Sequence, residues 1–422
     1  MPSLDGAWEG SHKMKFPNGF LWGTATAAHQ VEGGNINCDS WLLEHLEDSI
    51  YTESSGDACD HYHRYADDMA QLAALGFNAY RFSIEWARIE PEEGEFSLAQ
   101  LEHYRRMLEA CRENGLKAVV TLHHFTSPRW LAARGGWESR ETSRLFARYC
   151  ERVVGHLGDL IDVACTLNEL NLGVFLHQTG ILHSDETILR SPMRAAAARA
   201  LGVEPKMFSS FPFCVRARSR DVLLQAHRLG VQALRAGPGK FPIGMTLAMR
   251  DLQALPGGEH YRDRARSEAE DVFLEAARHD DFIGVQCYAR QRFGPHGMLP
   301  PETGVEFTQM GYEFWPEALE AAIRHASEVT QLPVIVTENG VATDDDTRRI
   351  AFIKRALAGV ARCISDKLDV RGYFYWTSHD NFEWLFGYHP KFGLIAVDRE
   401  TQRRTIKPSA EWLGKIARAN EI

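Results

Sequence analysis

Eight short apolar or β-branched runs recur along the chain, each followed by a longer stretch of helical periodicity. This alternation limits the fold to a parallel sheet flanked by helices. The runs occupy 20–30, 79–86, 117–124, 163–169, 242–249, 282–288, 333–339 and 370–377. The stretch after the second run illustrates the helical half: Leu98, Leu101, Leu108 and Cys111 are expected on one face, and Asn114-Gly115 supplies a stop before the third run. Eight such units with no Pro/Gly/Ser-rich linker predict a single (β/α)8 TIM barrel over 1–422, with 1–15 as an N-terminal tail and extended loops at the C-terminal face of the sheet. The alternative is an open doubly wound sheet. No G-x-G-x-x-G opens a helix after the first run and no G-x-x-x-x-G-K-[ST] occurs, so a nucleotide site has no support.

Composition narrows the function classes. A content of 44% apolar and 25% charged residues suits a large core, and a formal net charge of −10 argues against a nucleic-acid or anionic-membrane surface. Eight scattered cysteines without a C-x-x-C spacing predict buried free thiols rather than a zinc or redox site. Residues 1–20 carry no signal-peptide pattern, no run reaches membrane length, and no N-x-[ST] site occurs, so the expected address is cytoplasmic.

Polar, ionisable and aromatic residues gather at the C-terminal ends of the runs: His29 and Gln30, Arg81, His123 and His124, Asn168 and Glu169, Tyr288, Glu338 and Asn339, Trp376. In a barrel these ends converge on one mouth, where catalytic groups sit. Any one of them reads equally well as a satisfied polar group at a strand end, but so many together do not.

Two of these residues are carboxylates closing apolar runs, Glu169 on the fourth and Glu338 on the seventh. Glycoside hydrolysis requires such a pair, one acid to protonate the leaving oxygen and one carboxylate to attack or to activate water. The two need different environments. Arg81 is the natural cation to keep Glu338 ionised as nucleophile, whereas Glu169, among Leu167, Leu170 and His124, suits a raised pKa and the acid/base role.

The same residues lie in segments that resemble glycoside hydrolase family 1, the β-glucosidase family, from about Phe16 to the C-terminus. FPNGFLWGTATAAHQVEGG resembles its N-terminal signature, TLNELN its acid/base motif, VTENG its nucleophile motif and GYFYWTSHDNFEWLFGYHPKFGLIAVD its C-terminal signature. The resemblance implies a retaining exo-β-glycosidase, foremost a β-glucosidase, with Glu169 as acid/base and Glu338 as nucleophile. It further implies a sugar subsite of Gln30, His124, Asn168, Glu383 and Trp384, with Trp376 beneath the ring, Phe392 near C6, Asn168 on the 2-hydroxyl, and Tyr288 and Arg81 flanking the nucleophile. Amides, a neutral imidazole and a carboxyl can read hydroxyls, and aromatics cover the apolar sugar face. Members acting on 6-phosphorylated sugars carry Ser and a nearby Lys/Tyr pair where this chain has Glu383-Trp384, so an unphosphorylated sugar is implied, with Glu383 expected to repel a phosphate as an anion.

The chain departs from the family pattern at Leu170 (usually Pro), Phe125-Thr126 (often Trp-Asp), Gln286-Cys287 (usually Asn-Tyr before the next residue) and Ser378-His379 (often apolar). A buried, satisfied histidine is the expected state of His379. The segment 170–241, with an Ala-rich helix, Phe208, Phe211, Phe213 and Arg216, Arg218, Arg220, reads as a substrate lid or as a satellite core. The chain is short after the sixth run, which is expected to widen the entrance.

Competing readings are a β-galactosidase, β-fucosidase or transglycosidase of the same family, and a sugar-binding barrel without activity. No metal or organic cofactor is required, the expected partner is a small-molecule β-glycoside rather than nucleic acid or membrane, and homo-oligomerisation is left open. Glucose against galactose or fucose, and the identity of the aglycone, are not readable from the sequence.

Overall fold

A computed structural model describes residues 14–180, 191–214 and 216–422. Most of the expected tail and the centre of the 170–241 segment, residues 181–190 and 215, fall outside the described residues. Eight parallel strands close into a barrel: β1 Leu21–Ala25, β2 Ala79–Ser83, β3 Lys117–His123, β4 Val163–Leu167, β5 Ile243–Ala254, β6 Phe282–Gly294, β7 Val334–Asn339 and β8 Val370–Trp376. Each strand pairs with the next, and β1 pairs with β8 (Ala25 opposite Trp376), so no sheet edge is left in the ring. This is the predicted barrel, and the open sheet is excluded.

Strand alternation decides what faces the interior. On β2, Ala79 belongs to the interior cluster with Val119, Cys165, Ile335 and Phe374, whereas Tyr80 and Phe82 pack outward against the helices. Arg81 shares the inward phase of Ala79 and is therefore carried into the barrel, fully buried. Helices His61–Leu75, Leu98–Glu113, Thr142–Leu157, Ala217–Ala236, Ala318–Thr330 and Asp346–Ser365 cover the outside. In Leu98–Glu113 the Ser97 hydroxyl accepts from the Gln100 N–H at 3.3 Å, and Asn114 and Gly115 (φ +69°) end the helix as expected. Leu101, Leu108 and Cys111 are buried, but Leu98 is 59% exposed. It is the first helical residue, and Tyr104 and Met107 occupy the buried face instead.

Three strand readings shift. The first run ends at Ala25, and Ala28–Val31 turns as a short helix; it looked like strand because all four residues are buried. β5 and β6 run past the expected ends, to Ala254 and Gly294, as a paired ribbon after a register shift between Met249 and Asp251. That ribbon rises above the barrel rim, so its polar residues resembled a loop. All eight cysteines are free and buried, and among the described residues no helix is long and apolar enough to cross a membrane.

Candidate active site

At the C-terminal ends of the strands lies a pocket of about 340 Å³, lined on its floor by His124, Glu169, Tyr288, Glu338, Trp376 and Glu383. Trp384 and Phe392 also line it, whereas Arg81, Asn168 and Gln30 lie immediately behind and are joined to the lining residues by hydrogen bonds. The eleven residues that the resemblance assigns to catalysis or the sugar subsite thus converge on one place, whereas His29, His123 and Asn339, also at strand ends, do not line the pocket and bond instead to Asn35, Ser127 and the Cys287 carbonyl.

Glu338 ends β7 with a full set of donors. Arg81 Nη1 donates to Oε1 at 2.6 Å, Gln286 Nε2 donates to the same oxygen at 2.6 Å, and Tyr288 Oη donates to Oε2 at 2.6 Å. Burial pushes its pKa up, while the Arg81 charge and the Tyr288 hydroxyl oppose that push. The Tyr288 phenol, itself driven well above its usual range by burial and by Glu338, stays protonated and remains a donor.

Glu169 sits differently. Its backbone is in the left-handed region (φ +45°), uncommon for a residue with a side chain, and its N–H donates to Thr246 Oγ1 at 3.2 Å. Among the described residues its carboxyl has no hydrogen-bond donor. Burial, reinforced by the Glu338 charge, raises its pKa well above the ordinary value, with only Arg81 opposing. Of the two carboxyls, Glu338 is therefore the first to ionise and Glu169 the last to lose its proton.

Asn168 links the two. Its Oδ1 accepts from Arg81 Nη2, from Gln286 Nε2 at 2.8 Å and from Thr246 Oγ1 at 3.3 Å, while Nδ2 shares a hydrogen bond with His124 Nε2 at 3.1 Å. Burial, then the Arg81 charge, drives the His124 pKa well down, so its imidazole is neutral. The His124 and Trp376 rings stack at 5.7 Å, and the Trp376–Thr377 peptide is cis. Gln30 Nε2 donates to Glu383 Oε2 at 3.2 Å and to the Phe382 carbonyl at 2.7 Å. Among the described residues, Gln30 Oε1, Gln286 Oε1 and His124 Nδ1 are buried without a partner. Such orphaned atoms at a pocket floor are free to meet the hydroxyls of a ligand.

Glu383 requires a correction. Burial, then the Glu338 charge, lifts its pKa to about 8, so it is mostly neutral at pH 7 and does not repel a phosphate as an anion. Selection against phosphorylated sugars would rest instead on where the loop's cation points: Lys391 is not among the lining residues, and its Nζ donates to the Tyr388 carbonyl at 2.7 Å. The guanidinium groups lining the pocket, Arg250, Arg290 and Arg292, all come from β5 and β6.

The family departures resolve individually. Gln286 holds both Asn168 and Glu338, a role the sequence reading did not assign. Its signal was an amide at the strand end beside the buried Cys287. Thr126 Oγ1 donates to buried Glu85 at 2.6 Å, and Phe125 (φ +70°) packs on Trp384 at 5.3 Å. His379 is buried away from the pocket, its Nε2 3.3 Å from Asp68 Oδ1 and its Nδ1 bonded to Ser378 Oγ at 2.8 Å. Among the described residues of the 170–241 segment, Phe208 joins a satellite core with Leu42, Leu43 and Met193, one of the two expected readings, while Leu172, Phe175 and Phe213 line the pocket. After β6, residues Leu299 to Glu313 contribute wall rather than leaving that side bare.

Comparison with known proteins agrees with this geometry. The family model described as Glycosyl hydrolase family 1 matches residues 12–204 and 278–422. Thermostable beta-glucosidase B of Thermobispora bispora is 32% identical over 97% of this chain and 92% of its own. A bifunctional beta-D-glucosidase/beta-D-fucosidase of Bifidobacterium breve is 31% identical over 94% of this chain and 97% of its own. Among solved structures, beta-glycosidase BGL167 superposes with a TM-score of 0.93 at 56% identity, covering 96% of this chain and 97% of that one. Beta-glucosidase 1317 gives 0.90 at 49% identity, covering 95% and 98%.

Proposed function

The chain belongs to glycosyl hydrolase family 1, and within that family of hydrolases we propose that it is a retaining exo-β-glucosidase acting on unphosphorylated β-D-glucosides by double displacement. The observation that carries this reading is the unequal surroundings of the two carboxyls. Glu338, held by Arg81, Tyr288 and Gln286, is equipped to attack the anomeric carbon as an anion. Glu169, buried and without a donor among the described residues, is equipped to protonate the leaving oxygen and then to deprotonate the incoming water.

In the first step Glu338 forms a bond to the anomeric carbon as the bond to the leaving oxygen breaks, and that oxygen takes the proton of Glu169. In the second, water gives a proton to Glu169 and attacks the glycosyl ester, releasing Glu338. Asn168, with Oδ1 occupied by three protein donors, has an amide hydrogen left for the 2-hydroxyl, a contact that strengthens in an oxocarbenium-like transition state. Gln30, His124, Glu383 and Trp384 read the other hydroxyls, with Trp376 under the ring. Phe392, buried against Tyr288 at 5.9 Å, supplies an apolar wall suited to C6. A 6-deoxy sugar fits such a wall, and the bifunctional relative keeps β-fucosidase as the second reading. A cytoplasmic site of action is supported by eight unpaired thiols, which oxidising compartments disfavour.

A panel of p-nitrophenyl β-glycosides tests the proposal. Glucoside should be cleaved with the highest kcat/KM, fucoside next and 6-phosphoglucoside negligibly; no turnover of any would return the chain to a sugar-binding role.

A further inference from the structure

The pocket continues outward from the two carboxyls into an apolar chamber walled by Phe125, Leu172, Phe175, Leu176, Phe213 and Met249. Of the three guanidinium groups in the lining, none used by the mechanism, one has no ion pair among the described residues. Arg250, on β5, lines the pocket at 8% exposure. Its guanidinium carbon lies 3.8 Å from the centre of the Phe175 ring. Its backbone N–H donates to Glu270 Oε1 at 3.1 Å, yet among the described residues no carboxylate oxygen lies within ion-pair distance of its side chain. The two other arginines of the lining differ, since Arg290 is paired with Glu313 and Glu302, and Arg292 with Glu302.

A buried cation without a counter-charge is costly unless something compensates for it. Stacking on Phe175 and the charge of Glu270, which lies beyond ion-pair distance, do so only in part; burial pushes the Arg250 pKa down, to about 10, with Glu270 opposing, which leaves it charged at neutral pH. Its position is on the leaving-group side. Phe175 belongs to the helix Leu172–Gln178, which starts three residues after Glu169, the group assigned to the leaving oxygen. Asn171 fastens that helix to β5: its Nδ2 donates to the Ala248 carbonyl at 2.6 Å and its Oδ1 accepts from the Ala248 N–H at 3.0 Å, two residues before Arg250. Arg250 falls within 205–277, the interval between the two stretches that the family model matches.

We propose that Arg250 receives a carboxylate on the aglycone, so that the preferred substrates are β-glucosides whose flat, apolar aglycone carries an acidic group. The proposal rests on the β-glucosidase reading above. A planar guanidinium backed by an aromatic face matches a carboxylate through paired hydrogen bonds, while the surrounding Phe and Leu side chains cover the aglycone ring.

The test compares kcat/KM for 3- and 4-carboxyphenyl β-glucosides with the matching carbamoylphenyl β-glucosides, in the wild-type enzyme and in Arg250→Gln. The ratio of acid to amide for at least one positional isomer should fall at least about 10-fold in the variant. Because the ratio is internal to each protein, a general loss of activity does not affect it. Equal ratios in both proteins, for both isomers, would overturn the proposal. Should Arg250→Gln not fold, the wild type alone decides through inhibition by 3- and 4-hydroxybenzoate against the corresponding benzamides. Tighter inhibition by an acid, by about 10-fold, supports the site, and equal inhibition refutes it. Failure of the wild type to cleave phenyl β-glucoside would instead refute the underlying β-glucosidase reading.

Discussion

Arg81 and Glu338 form an ion pair at 2.6 Å in which the arginine is wholly buried and the carboxylate is 4% exposed. The two residues are 257 positions apart in the chain and meet because β2 and β7 both aim their ends at the barrel mouth. The pair sets the order of ionisation at the site. Glu338 has a fixed cation beside it, while Glu169 has burial and a neighbouring negative charge.

The pH dependence of hydrolysis follows from that order. The active form needs Glu338 ionised and Glu169 protonated, so kcat/KM should be bell-shaped, lost on the acid side as Glu338 takes up a proton and on the alkaline side as Glu169 gives its proton up. The limits belong to the coupled pair rather than to either residue alone. Glu169→Gln should remove the alkaline limb and lower kcat/KM on a poor leaving group such as methyl β-glucoside by about 10²–10⁴-fold, with a smaller loss on dinitrophenyl β-glucoside. Steady-state profiles on the two substrates check this, and an unchanged alkaline limb would show that another group supplies the proton.

Gln286 is expected to act through Glu338 as a positioning residue. Gln286→Leu removes a 2.6 Å hydrogen bond to the carboxylate, and a 2.8 Å one to Asn168, while substituting an apolar side chain of similar size. A lost hydrogen bond to a charged group is worth about 1.5–3 kcal/mol, so kcat/KM should fall about 10–100-fold. The acid limb of the pH profile should also move to higher pH, because Glu338 loses a donor that favours its ionised form. A structural defect alone would lower activity without moving that limb.

Glu383 predicts a stability effect separable from catalysis. Its pKa rises from 4.5 to about 8 on folding, so the folded state is favoured while the group is protonated. That advantage is complete below the unfolded value and is lost as pH rises through the folded one. Glu383→Gln cannot ionise and escapes the loss, which amounts to about 2–4 kcal/mol at high pH. The fall in Tm between pH 5 and pH 9 should be smaller in the variant than in the wild type, by several degrees, as measured by calorimetry. An equal fall in both proteins would mean that Glu383 is not perturbed.

Much of this site was legible in the sequence because a barrel converts strand ends into a single location. Glu169 and Glu338 close apolar runs, and Asn168, Tyr288 and Trp376 stand at equivalent ends, so period-two alternation and strand count brought them together before any distance was known. Less legible was whatever depends on who satisfies whom. Gln286 was visible only as a departure, since an amide at a strand end looks the same whether it meets solvent or two active-site groups. Arg250 was hidden because Arg250-Asp251 reads as the end of a strand, whereas β5 continues to Ala254 by pairing with β6. The charge of Glu383 was misjudged for a related reason: its sequence neighbours reveal neither its depth of burial nor its nearness to Glu338.

The central claim is that Glu338 forms a covalent glycosyl ester, and trapping with 2,4-dinitrophenyl 2-deoxy-2-fluoro-β-D-glucoside tests it most directly. The fluorine slows both steps and the activated leaving group restores the first, so the ester should accumulate. Peptide mass spectrometry should find one fluoroglucosyl group per chain, on the peptide containing Glu338, with the carboxyls of Glu169 and Glu338 about 5–5.5 Å apart in the trapped enzyme. Time-dependent inactivation with the label on another residue, or no label together with α-glucose as the first product from a β-glucoside, would contradict the account.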